Sequence, residues 1–268
     1  MTKEYNRLRE IIGAFDSCVI AFSGGVDSTL VTAVSYDVLG DKAVAVTATS
    51  PTYPSFELEE ARQRASEIGI RHIIIESDEL KIPGFSKNDT NRCYFCKNEL
   101  FTKLKGLAVD LGLNVVLDGT NRDDLSDFRP GREAAKELGV RSPLLEAGFT
   151  KEDIRFISRA IGLTNWDKPA YACLSSRFPY GTEINEENLE QVSKAEDFMR
   201  SLGFRIFRVR HHGEIARIEI GWDEFHLISD KNISGLIVQR LKGLGYHFVV
   251  LDMEGYRRGS LNKTGYVD

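Results

Sequence analysis

Three cysteines, one glycine-rich turn and two groups of arginines are where this 268-residue chain could do chemistry. The turn is AFSGGVDST (21–29). Gly24 and Gly25 let the backbone fold tightly and aim successive N–H groups at an anion. A helix opening directly behind them would add its positive N-terminal end, and Ser23, Ser28 and Thr29 would add hydroxyls. Asp27 conflicts with a phosphate unless a Mg²⁺ ion bridges the two. The lysine of a G-x-x-x-x-G-K-[ST] loop is absent, which speaks against a kinase or GTPase. The plainer reading is a strand-to-helix turn with Ser or Asp as a cap.

A second polar stretch, DGTNRDDLSDFRPG (118–131), offers Gly119, Thr120 and Asn121, the carboxylates of Asp123, Asp124 and Asp127, and the cation Arg129. Several carboxylates beside a nucleotide suit Mg²⁺, although a capped polar loop has the same composition. Cys93 and Cys96 form a C-x-x-C in NRCYFCK, and Cys173 lies in YACLSSR. Their residue types admit a structural zinc, a redox dithiol, an iron–sulfur cluster or no joint role. Cys18, inside an apolar run, reads as a buried thiol. In FRIFRVR (204–210) and IARIEI (215–220) a strand period puts Arg208 and Arg210 on one face, with Arg217 and Glu219 on the matching face of a paired strand. Guanidinium forks suit phosphate and carboxylate, and a solvated face with ordinary ion pairs is the alternative. Arg257 and Arg258 in GYRRGSLN are a similar anion candidate.

The elements that must position these groups alternate. Short apolar runs at 18–22, 43–47, 72–76 and 115–118 read as strands. Helical patterns follow near 27–39, 55–68 and 97–112. Near-continuous Val/Ile/Leu runs separated by helices predict an α/β fold with a doubly wound parallel sheet, ligands sitting beyond the carboxyl ends of its strands. After FPYGT (178–182) a helix near 186–201, the two arginine-bearing strands, a helix near 230–243 and a last strand at 246–252 predict a second, smaller α/β domain. The expected division is 1–180 and 181–268.

A hydrophobic fraction of 42% with 28% charged residues excludes a disordered or fibrous chain. No apolar run is long enough for a membrane span, and the start MTKEYNRLREII lacks an apolar signal core, which predicts a cytoplasmic protein without membrane contact. A net charge of −5 argues against a nucleic-acid partner.

SGGVDS behind a first strand resembles the PP-loop of the ATP pyrophosphatases, which cleave ATP between the α and β phosphates and adenylate a carbonyl or carboxylate oxygen. The resemblance implies that Ser23, Gly24, Gly25, Asp27 and Ser28 hold pyrophosphate, and that Thr47 and Thr49 of TATS lie near the adenosine. It also lowers the capped-loop reading of Gly119, Thr120, Asn121, Asp124 and Arg129. SGGVDSTLV, TSPTYP, RCYFCK, DGTNRDD…RPG, KPAYACLSSRFPYG, RVRHHGEIARIE and GYRRGSLN, in this order over nearly the whole chain, resemble the LarE-type sulfurtransferases that build the nickel-pincer nucleotide. This resemblance implies ATP and Mg²⁺ as reactants, adenylation of a carboxylate of pyridinium-3,5-biscarboxylic acid mononucleotide, and delivery of sulfur with release of AMP. Members with one cysteine, at the position of Cys173, give up its own sulfur. Cys93 and Cys96 in addition resemble the three-cysteine branch, which implies that Cys93, Cys96 and Cys173 hold a [4Fe–4S] cluster whose open iron accepts sulfide from an external source. Guanidinium forks suit the phosphate and carboxylates of this mononucleotide, which makes Arg208, Arg210, Arg217, Arg257 and Arg258 candidate substrate ligands, and the family further implies Glu196 with Glu219 near a divalent ion and a symmetric homo-oligomer such as a hexamer.

Rival readings are a cluster-dependent tRNA 2-thiolation enzyme, an NAD or GMP synthetase, and a nucleotide-binding redox sensor without enzymatic activity. The acidic balance and the valine in SGGVDS disfavour the first, and three cysteines without a glutaminase disfavour the second.

Overall fold

Alternation within β1 (Cys18–Ala21) and β2 (Ala43–Thr49) divides the first unit of the chain into two packed layers. Cys18 and Ile20 point, with Ala43 and Ala45, into a core closed by the helices α1 (Lys3–Gly13), α2 (Val26–Leu39) and α3 (Ser55–Ile68). Val19, Val44 and Val46 point the other way, against α4 (Arg92–Asp110) and α5 (Gly131–Glu137). A strand buried on both faces is the expected form of a parallel sheet covered by helices. The structure is a computed structural model and describes residues 2–82, 84–126, 130–257 and 259–261.

With β3 (Arg71–Glu76) and β4 (Val115–Leu117) the sheet has the order β3-β2-β1-β4, every pairing parallel. The chain steps outward from β1 to β3 and then returns to the other side of β1. The direction of winding therefore reverses between β1 and β4, and the loops leaving these two strands flank the switch point where such sheets bind ligands. The helices α6 (Pro143–Ala147) and α7 (Lys151–Ala160) complete this unit. A capping box between Thr150 and Asp153 sets the start of α7.

The second unit has its own core. The helix α8 (Glu186–Ser201) packs on a hairpin of β5 (Phe207–His212) and β6 (Ile215–Ile220). The short α9 (Phe225–Ile228) and α10 (Lys231–Gly243) follow, and β7 (Phe248–Leu251) adds parallel to β6. The two-residue turn between β5 and β6 has Gly213 at φ 63, a conformation that glycine adopts without a Cβ penalty.

The division between units differs from the expected one. Contacts group 1–79 with 91–171, and 80–90 with 172–268. Residues 80–90 join the second unit because Ile184 N–H donates to the Ser86 carbonyl, and the Asn88 amide donates to the carbonyls of Phe178 and Pro179. Two elements also shift from their predicted bounds. The C-x-x-C, expected ahead of a helix, lies inside the first turns of α4. The strand expected at 204–210 begins at Phe207, because the Glu224 carboxylate takes the N–H groups of Arg205 and Ile206 that would otherwise join a ladder. No described helix is long and apolar enough to cross a membrane.

Candidate functional site

The turn after β1 is shaped by what a side chain would strike. Gly24 has φ +67, and a Cβ there would stand 2.9 Å from the Ala61 Cα of α3. Gly25 caps α2 with extended backbone, so the loop delivers its N–H groups directly into a helix N-terminus. The hydroxyls of Ser23 and Ser28 lie 3.1 Å apart, and Ser28 also accepts from the Ser23 N–H at 3.2 Å. The loop leaving β4 is pressed against this turn, since a Cβ on Gly119 would come within 2.9 Å of the Ser28 nitrogen. Sequence reasoning placed these two loops together, and they meet.

Asp27 opens α2 half-buried, and both its oxygens accept from the Lys151 ammonium at 2.6 Å. Burial pushes the Asp27 carboxyl above its ordinary range, while Lys151 works in the opposite sense. Lys151 was not among the expected residues. It is the first residue of α7, where a cation opposes the helix dipole, and its own backbone N–H donates to the Asp123 carboxylate at 2.8 Å. The loop thus has an ammonium after all, contributed from a distant stretch of chain. Asp124 turns inward to accept the Asn121 N–H, and Asp118 accepts from Thr120 and Ser142. Arg129 and Asp127 lie outside the described residues.

Thr47 was expected near an adenosine, and its side chain is engaged within the fold. Its hydroxyl is buried and joins the Phe22 carbonyl and the His72 ring, both at 2.8 Å. Burial lowers the pKa of His72, so the imidazole stays neutral there. Thr49, at the end of the same strand, is half-buried, and its carbonyl accepts from Ser77.

Cys93 is exposed and Cys96 half-buried, as i and i+3 on the first turns of α4. A Cβ on Gly131 would touch the Cys93 carbonyl at 3.1 Å, so the end of the β4–α5 loop packs on this turn. The Cys96 thiol donates to the buried Glu79 carboxylate at 3.1 Å, which also accepts from Ser50 and Thr52. Two accessible thiols one helical turn apart suit a thiophilic metal. Cys18 is fully buried, and burial pushes its thiol up to about 12.

Cys173 opens the second unit, exposed, immediately before a short turn over Leu174–Arg177. The Arg177 guanidinium holds the carbonyls of Ala172 and Cys173 at 2.7 and 3.2 Å and forks onto Glu196 at 2.8 Å twice. The expected arginine face exists, with Arg208 opposite Glu219 and Arg210 opposite Arg217 across the hairpin. It is not solvated: Arg208, Arg210, Glu196 and Glu219 are all buried. Arg210 pairs with Glu219 at 2.7 Å and Arg217 with the same carboxylate at 2.9 Å. Glu196 also accepts the Val209 N–H, and Ser260 donates to Glu219. Both carboxylates expected near a divalent ion are therefore neutralised by guanidinium groups, which they orient. The Arg210 Nε is buried without a hydrogen-bond partner among the described residues. Burial lowers the pKa of His211 and of His212. Arg257 pairs with Glu254 at the surface, and Arg258 lies outside the described residues.

Comparison with known proteins agrees with the geometry. Residues 6–97, which contain β1, the glycine turn and α2, match the NAD synthase family model. An uncharacterized protein of Synechocystis sp. is 48% identical over 98% of this chain and 98% of its own length. A tRNA-specific 2-thiouridylase of Beijerinckia indica is 26% identical over 58% of this chain and 44% of its own. The pyridinium-3,5-bisthiocarboxylic acid mononucleotide synthase of Lactiplantibacillus plantarum is 40% identical over 91% of this chain and 88% of its own. Identity at that level over nine-tenths of the chain means that it belongs to the family of the pyridinium-3,5-bisthiocarboxylic acid mononucleotide synthases.

Proposed function

We infer that the protein is an ATP-dependent sulfurtransferase that converts a carboxylate of pyridinium-3,5-biscarboxylic acid mononucleotide into a thiocarboxylate; its Lactiplantibacillus relative is named as the synthase of the bisthiocarboxylic acid mononucleotide. The observation that carries the reading is the turn at the switch point, where a helix N-terminus, two hydroxyls, a carboxylate and an ammonium converge. In this reading a substrate carboxylate oxygen attacks the α phosphorus of ATP, the bond to the β-phosphate bridging oxygen breaks, and pyrophosphate leaves. Sulfide then attacks the activated carbonyl, and AMP leaves with the bonding electron pair.

The loop N–H groups and the Ser23 and Ser28 hydroxyls would receive the departing pyrophosphate, whose charge they offset in a preorganised site. Asp27 would hold the Mg²⁺ that accompanies it, which would offset phosphate charge, and Lys151, whose ammonium lies against Asp27, would contribute a cation to the phosphates in place of the lysine this loop lacks. Arg208, Arg210 and Arg217 would bind the phosphate and carboxylates of the mononucleotide, with Glu219 holding the Arg210 and Arg217 guanidinium groups in place. The Arg210 Nε, without a hydrogen-bond partner among the described residues, is a donor suited to such an anion.

In this reading the thiolates of Cys93, Cys96 and Cys173 would hold a [4Fe–4S] cluster, as the family resemblance implies, and the cluster when bound would supply an iron able to carry sulfide; among the described residues no three metal-binding side chains are grouped. Arg177 would hold the Cys173 backbone for that purpose.

The test is an anaerobic preparation supplied with Mg·ATP, sulfide and the mononucleotide. AMP and pyrophosphate should form in step with a product heavier by the exchange of one oxygen for sulfur. AMP formed equally with tRNA, or without any acceptor, would overturn the substrate assignment.

A further inference from the structure

Each carbonyl of the glycine turn is taken by a donor from a different part of the fold. The Phe22 carbonyl accepts the Thr47 hydroxyl of β2 at 2.8 Å, and the Ser23 carbonyl accepts the Tyr53 hydroxyl at 3.0 Å. The Gly24 carbonyl accepts the Asn165 side-chain amide at 3.0 Å, and the Gly25 carbonyl accepts the Thr29 N–H at 2.9 Å. In a trans peptide the C=O and the next N–H point in opposite directions. Pinning four successive carbonyls therefore fixes the course of the loop and the direction of the N–H groups that follow, of which those of Ser23 and Gly25 donate to the Ser28 and Ser23 hydroxyls at 3.2 and 3.4 Å. Two of the four ties are ordinary. Gly25 to Thr29 belongs to the helix ladder, and Thr47 lies on the neighbouring strand. The other two come from loops with no other reason to reach this turn.

We propose that Tyr53 and Asn165 are positioning residues of the pyrophosphate loop, each holding one carbonyl so that the loop keeps the shape in which its N–H and hydroxyl groups meet the phosphates of ATP. The proposal rests on the reading of this turn as the ATP-phosphate site. Tyr53 lies in the TSPTYP turn between β2 and α3, and its hydroxyl also reaches the Glu57 carbonyl. Burial and the neighbouring carboxylates raise its pKa, so it remains a donor throughout the working pH range. Asn165 is buried, and its amide spans the Gly24 carbonyl and the Thr29 hydroxyl, both at 3.0 Å. It thereby ties the residue with positive φ to the first turn of α2. A flexible Gly-Gly pair would otherwise lose entropy on ordering around a ligand, and these ties order it in advance.

Titration calorimetry on the full chain with Mg·pyrophosphate and with AMP tests the assignment, using Tyr53→Phe and Asn165→Ala. Each variant should weaken pyrophosphate binding roughly five- to tenfold, the net worth of one hydrogen bond, and leave AMP binding within about twofold of wild type. In turnover the KM for ATP should rise while the KM for the mononucleotide stays unchanged. Variants that bind pyrophosphate as the wild type does would overturn the proposal. So would equal losses for pyrophosphate and AMP, which would indicate general damage to the site. A wild-type protein that binds neither ATP nor pyrophosphate would overturn the ATP-site reading itself, before any variant is made. Tyr53→Phe removes only an oxygen at a half-buried position, so it decides the matter if Asn165→Ala fails to fold.

Discussion

Asp27 and Lys151 exchange charge across 2.6 Å at the mouth of the loop, and each has a poor local environment without the other. The carboxylate stands where phosphates would repel it, and the ammonium stands at the positive end of a helix. Asp27→Asn should lower Mg²⁺-dependent pyrophosphate release by about a hundredfold or more, the scale of several kcal/mol of metal-mediated stabilisation. Thermal stability should change little, because both partners are about one-third exposed. Pyrophosphate release at the wild-type rate would remove Asp27 from this role. The thiols separate equally sharply. Cys18, with its thiol pushed up to about 12 in a closed core, should resist alkylation at pH 8 in the native protein, while exposed Cys93 and Cys173 react. Mass spectrometry of the labelled native and unfolded chains checks this. Substitution of Cys93, Cys96 or Cys173 by Ser should abolish iron-dependent visible absorption and multiple turnover in anaerobic protein, and Cys18→Ser should preserve both.

Strand pairing decides what the arginines can do. Because β5 and β6 run antiparallel with Arg208 opposite Glu219 and Arg210 opposite Arg217, three guanidinium groups share one side of the hairpin around a single buried carboxylate. Arg208→Ala or Arg210→Ala should raise the KM for the mononucleotide by an amount equivalent to roughly 1.5 to 3 kcal/mol, one charge-assisted hydrogen bond, without changing ATP binding. Equal weakening of both ligands would place these residues in the fold instead. Arg177→Met makes a contrasting case on the same unit. It would leave Glu196 charged, 1% exposed and facing an apolar chain, which should cost about 3 to 5 kcal/mol of stability. A melting curve distinguishes Arg177 from Arg208, whereas Arg210→Ala, which removes a partner of the buried Glu219, should lower the melting temperature as well.

At the scale of the molecule, the second unit borrows a segment from the middle of the first. Residues 80–90 interrupt the chain between β3 and α4, and Asn88 fastens them to the 178–184 stretch from a fully buried position with φ 55. Asn88→Ala should destabilise the second unit by about 1 to 3 kcal/mol, because two carbonyls lose their donor in a buried setting. Hydrogen exchange over 172–184 should quicken while exchange in β1 and β2 remains slow. Uniform acceleration would show instead that the two units melt together.

Local patterns were enough for the parallel sheet, the glycine turn, the bounds of α8 and β6, and the resemblance that singled out the three cysteines. Each of these depends on residue types at short spacing: apolar runs flanked by helices, Gly24 beside Gly25, arginines alternating with Phe207 and Val209. Tertiary structure decided the remainder. Lys151 and Asn165 reach the loop from more than a hundred positions away, and no period in the sequence links them to it. Thr47, expected to face a nucleotide, is turned inward by the Phe22 carbonyl and His72. Glu196 and Glu219, expected to help place a divalent ion, also pair with arginines of other elements, which no local pattern announced. Pairing across distant segments depends on which faces pack and which charges are buried together, and those are properties of the folded chain.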